Sequence, residues 1–347
     1  MRKWMATAVI GLIMPMQVQA GPLQVYILSG QSNMQGHAHV STFDYIGRDP
    51  ETVPLLERMR HPDGTHPVLD RVHISYLSEN RQGQPTVKSG PLTVGFGVAD
   101  DRIGPEYTFG IFMQDFVDEP ILIIKTAWGG KSLFADFRPP SGATDEHPVG
   151  AYYTRMMDHI RAVLSDPGAV SPHYDPAKGF EIAGFVWFQG WNDLTNSGVY
   201  PQRGQPGGYD VYSELLAHLI RDVRIALQVP DVRFVIGVLG VGGPTEDYTN
   251  PRFKTIHQNF RDAMAAPAAL PEFAGTVVTV LTEKYWDHRL AAVRETKAED
   301  RTDEEQEIAR GFSNQGFHYL GSGKMFGQFG RAFAEAMAGV KTERSEN

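Results

Sequence analysis

The amino-acid sequence predicts an α/β fold, a parallel β-sheet with helices on both faces. Two observations predict it. Five segments, 23–28, 120–126, 181–188, 232–239 and 275–282, are continuous apolar runs rich in β-branched and aromatic residues, as expected of strands covered on both sides. Between them the apolar residues recur at helical spacing, and strands that alternate with helices assemble into a parallel sheet.

Taken in chain order, residues 1–20 precede the fold. Arg2 and Lys3 give a positive start, Trp4 to Met14 an apolar stretch, and Val18-Gln19-Ala20 a small-residue cleavage signal. This is the layout of a secretory signal peptide, too short for a membrane anchor. The expectation is an exported protein, periplasmic or extracellular, with one domain over 21–340 and a disordered tail over 341–347. Strand 23–28 comes next. Residues 37–103 break the alternation: they are rich in Pro, Gly, His and charge, with one alternating piece, VHISYL. This segment, 135–150 and 196–208 are read as long loops, of the kind that wall a binding cleft. Helix 151–165 carries Tyr152, Met156, Ile160 and Val163, and helix 209–227 carries Val211, Leu215, Leu219 and Val223. The acidic run 297–310 reads as a solvated loop or helix face. The last helix, after Ser322, sets Met325, Phe329, Phe333 and Met337 on one stripe.

Composition removes several functions. The net charge of −9 disfavours nucleic acid and anionic membrane surfaces as partners. Cysteine is absent, so no disulfide supports the fold and stability rests on a core drawn from 41% hydrophobic residues. No protein partner is implied. His37 and His39 have the spacing of a metal-binding pair, but no carboxylate cluster accompanies them, so neither metal nor cofactor is expected.

Chemistry concentrates at strand ends. The first strand runs into Gly30-Gln31-Ser32-Asn33, the second into KTAWGGKSL (125–133) and the third into WFQGWND (187–193). Near the carboxyl end stands NQGFHYLGSG, with His318 just before the last helix. Small polar residues and glycines also simply turn a chain. Together, however, they supply a nucleophile, a base and N–H donors for an oxyanion, where a parallel sheet gathers its catalytic groups. The G-x-S-x-G elbow does not fit, because Ser32 is followed by Asn33-Met34.

These blocks resemble the SGNH (GDSL-type) hydrolase superfamily, and within it the sialate O-acetylesterase-like carbohydrate esterases. GQSNMQG matches the serine block, GPEYTFG (104–110) a further signature, KTAWGGKSL the glycine block, QGWND the asparagine block and GFHYLGS the histidine block. The resemblance spans about 22–338. It implies a three-layer, flavodoxin-like fold with a central five-stranded parallel sheet and long loop insertions. It also implies a serine esterase that deacetylates an O-acetylated carbohydrate through an acyl-enzyme. By the same resemblance Ser32 is the nucleophile and His318 the base. Ser32 N–H, a backbone N–H of Gly129 or Gly130, and the Asn192 side chain form the oxyanion hole. Gln31, Glu106, Gln189 and Asp193 support the site. Many members carry an Asp three residues before the histidine, where this chain has Gln315. Asp287, a Ser–His dyad and Gln315 all remain open as the answer to what orients His318. Trp128 and Trp191 are candidate sugar-stacking surfaces, against a core role. A lipid or aryl esterase and a non-catalytic glycan-binding relative are the competing readings.

Overall fold

A computed structural model describes residues 21–80 and 82–340, so the segment read as a signal peptide and the tail at 341–347 lie outside the described residues. Among the described residues nine strands occur: β1 (Leu23–Gly30), β2 (Ala38–His39), β3 (Leu69–Glu79), β4 (Pro85–Leu92), β5 (Arg102–Ile103), β6 (Ile121–Ala127), β7 (Phe180–Phe188), β8 (Arg233–Val238) and β9 (Val277–Leu281). Seven of them form one sheet in the order β4-β3-β6-β1-β7-β8-β9, and β2 pairs with β5 apart from it. All pairings in the large sheet are parallel except β3 with β4.

The five predicted strands are all present, and their spatial order, second-first-third-fourth-fifth, is the flavodoxin-like one. The sheet is nonetheless wider than expected, because 37–103 is not only loop. Its VHISYL piece is the buried centre of β3, and β4 adds an antiparallel edge. β4 is exposed along most of its length and carries Pro85, Lys88 and Pro91, which blunt an edge against further pairing. Such a strand leaves almost no hydrophobic pattern to detect.

Side chains of β1 divide the layers. Tyr26 meets Phe109 of helix Glu106–Met113 on one face, ring centroids 5.4 Å apart. Ser29 Oγ meets Met156 Sδ of helix Ala151–Ser165 on the other, at 3.1 Å. Met156, Ile160 and Val163 are buried as predicted, and Tyr152 is half-buried. In helix Asp210–Leu227 the stripe holds at Leu215, Leu219 and Val223, but Val211 is 45% exposed. It stands in the first turn of the helix. Met325, Phe329, Phe333 and Met337 of helix Gly323–Met337 are all buried. The acidic run forms a solvated helix, Asp303–Ala309, capped by a reciprocal Thr302–Glu305 box.

The chain leaves β1 toward β6 on one side and returns to β7 on the other. A crevice opens at such a reversal, outside the carboxyl ends of the strands. The Ser32 turn sits there.

Candidate active site

The serine turn is built from Gln31. β1 ends at Gly30, and a four-residue helix, Ser32–Gln35, begins at once, leaving the N–H groups of its first turn without intrahelical acceptors. Ser32 is only 4% exposed. The buried Gln31 side chain ties the turn to β7's exit. Its Oε1 accepts from Gly190 N (2.9 Å), Asn192 N (3.3 Å) and Gln189 Nε2 (3.2 Å). Its Nε2 donates to Asn192 Oδ1 (2.9 Å) and to Ser32 Oγ (3.4 Å).

The glycine segment after β6 is held to the same exit. Asn192 Nδ2 donates to Gly130 O (3.0 Å), which leaves one amide hydrogen free. Gly130 has φ +72, a conformation that costs a side-chain-bearing residue energy. Asp193 is fully buried and accepts four hydrogen bonds, from Leu133 N, Phe134 N, Gln189 Nε2 and Tyr200 OH. Burial pushes its carboxyl pKa up, and those donors pull against the shift. Gln31, Gln189 and Asp193 thus tie the Ser32 turn, the glycine segment and β7's exit together.

Glu106 acts through an unforeseen partner. Its Oε1 accepts from Gly104 N (2.9 Å), and its Oε2 pairs with Lys125 Nζ (2.7 Å), both side chains being wholly buried. Lys125 also donates to Gln35 O (2.9 Å) and Phe96 O (2.7 Å), so the ion pair clamps the end of the serine helix. Burial pushes Glu106 up and Lys125 down, while their contact opposes both shifts. The motif glycines Gly36 and Gly104 permit this approach: a Cβ on Gly36 would lie 2.3 Å from Gly104 Cα.

The histidine block is a strained loop. After His318 the chain passes through Tyr319 (φ 47), Leu320 (φ 59) and Gly321 (φ 58), consecutive left-handed residues that only a fixed surrounding sustains. The buried Tyr319 hydroxyl supplies part of it, bonding Gly240 N and Thr282 Oγ1, each at 2.7 Å. Asn33 Nδ2 donates to Phe317 O (3.2 Å), joining the serine turn to this loop. Among the described residues no direct hydrogen bond links Ser32 Oγ to His318. Contacts of this kind often tighten only when substrate binds.

The group on His318 Nδ1 is Asn314, whose Oδ1 lies 3.0 Å away. Neither residue weighed from sequence occupies that place. Asp287 caps helix His288–Glu295 through Leu290 N (2.8 Å) and takes Tyr45 OH (2.9 Å) and Lys324 Nζ (3.1 Å), so its carboxylate is held by these groups. Gln315 turns its Oε1 to Arg294. His37 stacks flat on His318, centroids 3.8 Å apart at 8°. The H-x-H pair is split, since His39 faces Asp101 (2.9 Å). Burial lowers the pKa of His318 to about 4. No local pattern announces the places of Asn314, His37 and Lys125: Asn314 stands beside the Gln315 position that was weighed, His37 reads as half of an H-x-H pair, and Lys125 lies inside a strand.

Trp128 is 1% exposed against Phe137 and Tyr152, so no sugar reaches it. Trp191 is half-buried, stacked on Phe317 at 5.7 Å, and lines a groove of about 670 Å³ together with Arg203, Asp247, Tyr248, Asn250 and Phe253. That volume falls within the roughly 300–1,000 Å³ usual for ligand clefts.

Residues 22–269 match the family model described as carbohydrate esterase, sialic acid-specific acetylesterase, which is well over half of the chain. The chain belongs to this family. It is accordingly a carboxylic ester hydrolase of the carbohydrate esterase class. The matched stretch of this esterase contains Ser32, Gly129, Gly130 and Asn192 and ends before His318. Curated protein sequences give no match. Among solved structures it is similar to a protein from Arabidopsis thaliana, at 16% identity and TM-score 0.46, over 91% of this chain and 98% of that one. It is also similar to a carbohydrate acetylesterase from Xanthomonas citri, at 15% identity and TM-score 0.41, over 74% of this chain and 49% of that one. NanS is similar at 15% identity and TM-score 0.40, over 76% and 79%. These identities are too low to transfer an activity.

Proposed function

We propose that this esterase is exported and removes O-acetyl groups from a carbohydrate through an acyl-enzyme, with Ser32 as nucleophile and His318 as base. The observation that carries the reading is the bonding of the His318 loop to the Ser32 turn, with Asn314 on Nδ1 and Nε2 left as the basic nitrogen. Ser32 Oγ attacks the acetyl carbonyl carbon and passes its proton to His318 Nε2. The oxyanion meets Ser32 N–H, a glycine N–H at 129 or 130 and the free Asn192 amide hydrogen. Collapse expels the sugar alkoxide, which takes the imidazolium proton. Water, activated by the same imidazole, then releases acetate and restores Ser32. The groove lined by Trp191 offers aromatic surface with charged and amide groups around it, suited to a sugar ring that has apolar faces and a hydroxyl rim.

Acetate release across acetylated xylan, pectin and sialic acid tests the reading. Absence of release from every acetylated carbohydrate, with an aryl acetate hydrolysed well, would replace it by an aryl esterase.

Two expected results arise here. Asn192→Ala should lower kcat by about 10²–10³ with KM little changed, because its hydrogen bond strengthens only as charge develops. A rise in KM alone would make Asn192 a ground-state substrate contact. The second concerns pH. Only neutral imidazole accepts the serine proton, and His318 has its pKa lowered to about 4 by burial. Activity should therefore persist in mild acid and fall as pH drops through about 4, where an unperturbed histidine would fail near ~6.5. A kcat/KM profile over pH 3–8, measured within the stable range, checks the midpoint.

A further inference from the structure

Asn314 raises a difficulty. A carboxylate presents an oxygen whichever way it turns, but a carboxamide turned by 180° presents N–H. Facing His318 with its amide nitrogen, Asn314 would force Nδ1 to be the acceptor and put the ring proton on Nε2. The base would be gone. Something must therefore fix which end of the amide faces His318.

Two contacts do so. Gln315 N–H points at one end of the carboxamide, 2.7 Å away, and a backbone N–H requires an acceptor, so this end is Oδ1. The other end, Nδ2, lies 3.4 Å from His37 Nδ1. We propose that His37 is a positioning residue for the esterase: it accepts the Asn314 amide hydrogen, so that Oδ1 alone faces His318, and it lies flat against the His318 ring to hold its plane. The inference rests on His318 being the base in the reading above.

The role requires an unprotonated His37 Nδ1, and the surroundings provide it. The charged groups around the two rings are Arg102, which donates to His37 O (3.0 Å), Lys125 with its partner Glu106, and Arg294, which donates to Asn314 O (3.3 Å) and to Gln315. No unpaired carboxylate faces either ring among the described residues. Burial, then the neighbouring His318, Arg102 and Lys125, lower the pKa of His37 to about 3, so it stays a neutral acceptor wherever His318 is a competent base. Among the described residues its Nε2 is buried without a hydrogen-bond partner, so no second contact competes to set the tautomer. Asn314 thereby addresses both rings at once, donating to one and accepting from the other.

The experiment is imidazole ¹⁵N NMR on the full protein labelled in its 12 histidines, with His37→Phe and His318→Gln used for assignment, beside kinetics on an acetyl ester. At neutral pH the wild type should show His318 protonated at Nδ1 and His37 protonated at Nε2. His37→Phe keeps a ring for stacking but offers no acceptor, so His318 should become a mixture of tautomers and kcat should fall about 10-fold with KM unchanged. His37→Ala also opens the ring face to water, and the acid limb of kcat/KM should move up from about 4 toward ~6.5. A purely structural role would lower the amount of active enzyme and leave tautomer and pH midpoint where they were; that result overturns the proposal. So does a wild-type His318 protonated at Nε2, a measurement that needs no variant to fold. If the wild type hydrolyses no ester at all, the esterase reading fails, and the NMR still decides the tautomer assignment.

Discussion

Ser32→Ala is expected to reduce acetate release by roughly 10⁴–10⁶ in kcat while the protein folds normally. The size follows from the proposed chemistry: without Oγ no acyl-enzyme forms, and only direct attack of water in an intact oxyanion hole remains. Normal folding follows from the contacts. Ser32 Oγ receives one long hydrogen bond, from Gln31 Nε2 at 3.4 Å, while the turn itself is held by the other bonds of Gln31 and by Asn33. Stopped-flow acetylation with an aryl acetate, alongside thermal unfolding, separates the two effects. A folded variant with most of its activity would remove Ser32 from the mechanism.

Asn314→Leu is the second large effect. It deletes the one group that bonds His318 Nδ1 among the described residues, so the imidazole is free to take the unproductive tautomer, and kcat should fall by about 10³–10⁴, comparable to the loss of the orienting residue in other triads. Asn314→Asp separates orientation from charge. A carboxylate there stabilises imidazolium, so the His318 pKa should rise and the acid limb of activity should move upward from about 4. Asp287→Asn is the contrast. It keeps an N-cap acceptor but sets an amide nitrogen where Tyr45 OH and Lys324 Nζ donate, at a cost of about 1–2 kcal/mol, and should lower Tm while kcat stays near wild type. Were Asp287→Asn to abolish turnover and Asn314→Leu to spare it, the orienting group would be misassigned.

The parts legible in the sequence share a physical property: each is announced by a local pattern. β1 and β6 to β9 are apolar runs, and the Ser32, Gly129-Gly130, Asn192 and His318 blocks stand at predictable chain positions relative to them. What stayed hidden depends on partners far along the chain. β4 exists because β3 offers it an edge, not because PTVKSGPL favours a strand. Lys125 reads as a polar break in a strand until Glu106, Gln35 and Phe96 close around it. Asp287 stood among the candidates because an acid near the end of a fifth strand is well placed by topology; its carboxylate is held by Leu290 N and, from far along the chain, by Tyr45 and Lys324. Asn314 was passed over because the place weighed for an orienting group in this block was its neighbour Gln315.

The clamp around Lys125 has a consequence for how the protein moves. Phe96 and Glu106 lie in the segment entering helix Glu106–Met113, and Gln35 ends the serine helix, so one ammonium group joins three stretches distant in sequence. Peeling the serine helix away would leave the Lys125–Glu106 pair in place but strip the buried ammonium of one acceptor, at a cost of about 1–3 kcal/mol. That is a sizeable fraction of the total stability of an ordinary domain. Partial opening of the serine turn is therefore disfavoured well beyond the fraying of exposed segments. Slow breathing of the molecule belongs instead to its solvent-exposed fringe, such as β4.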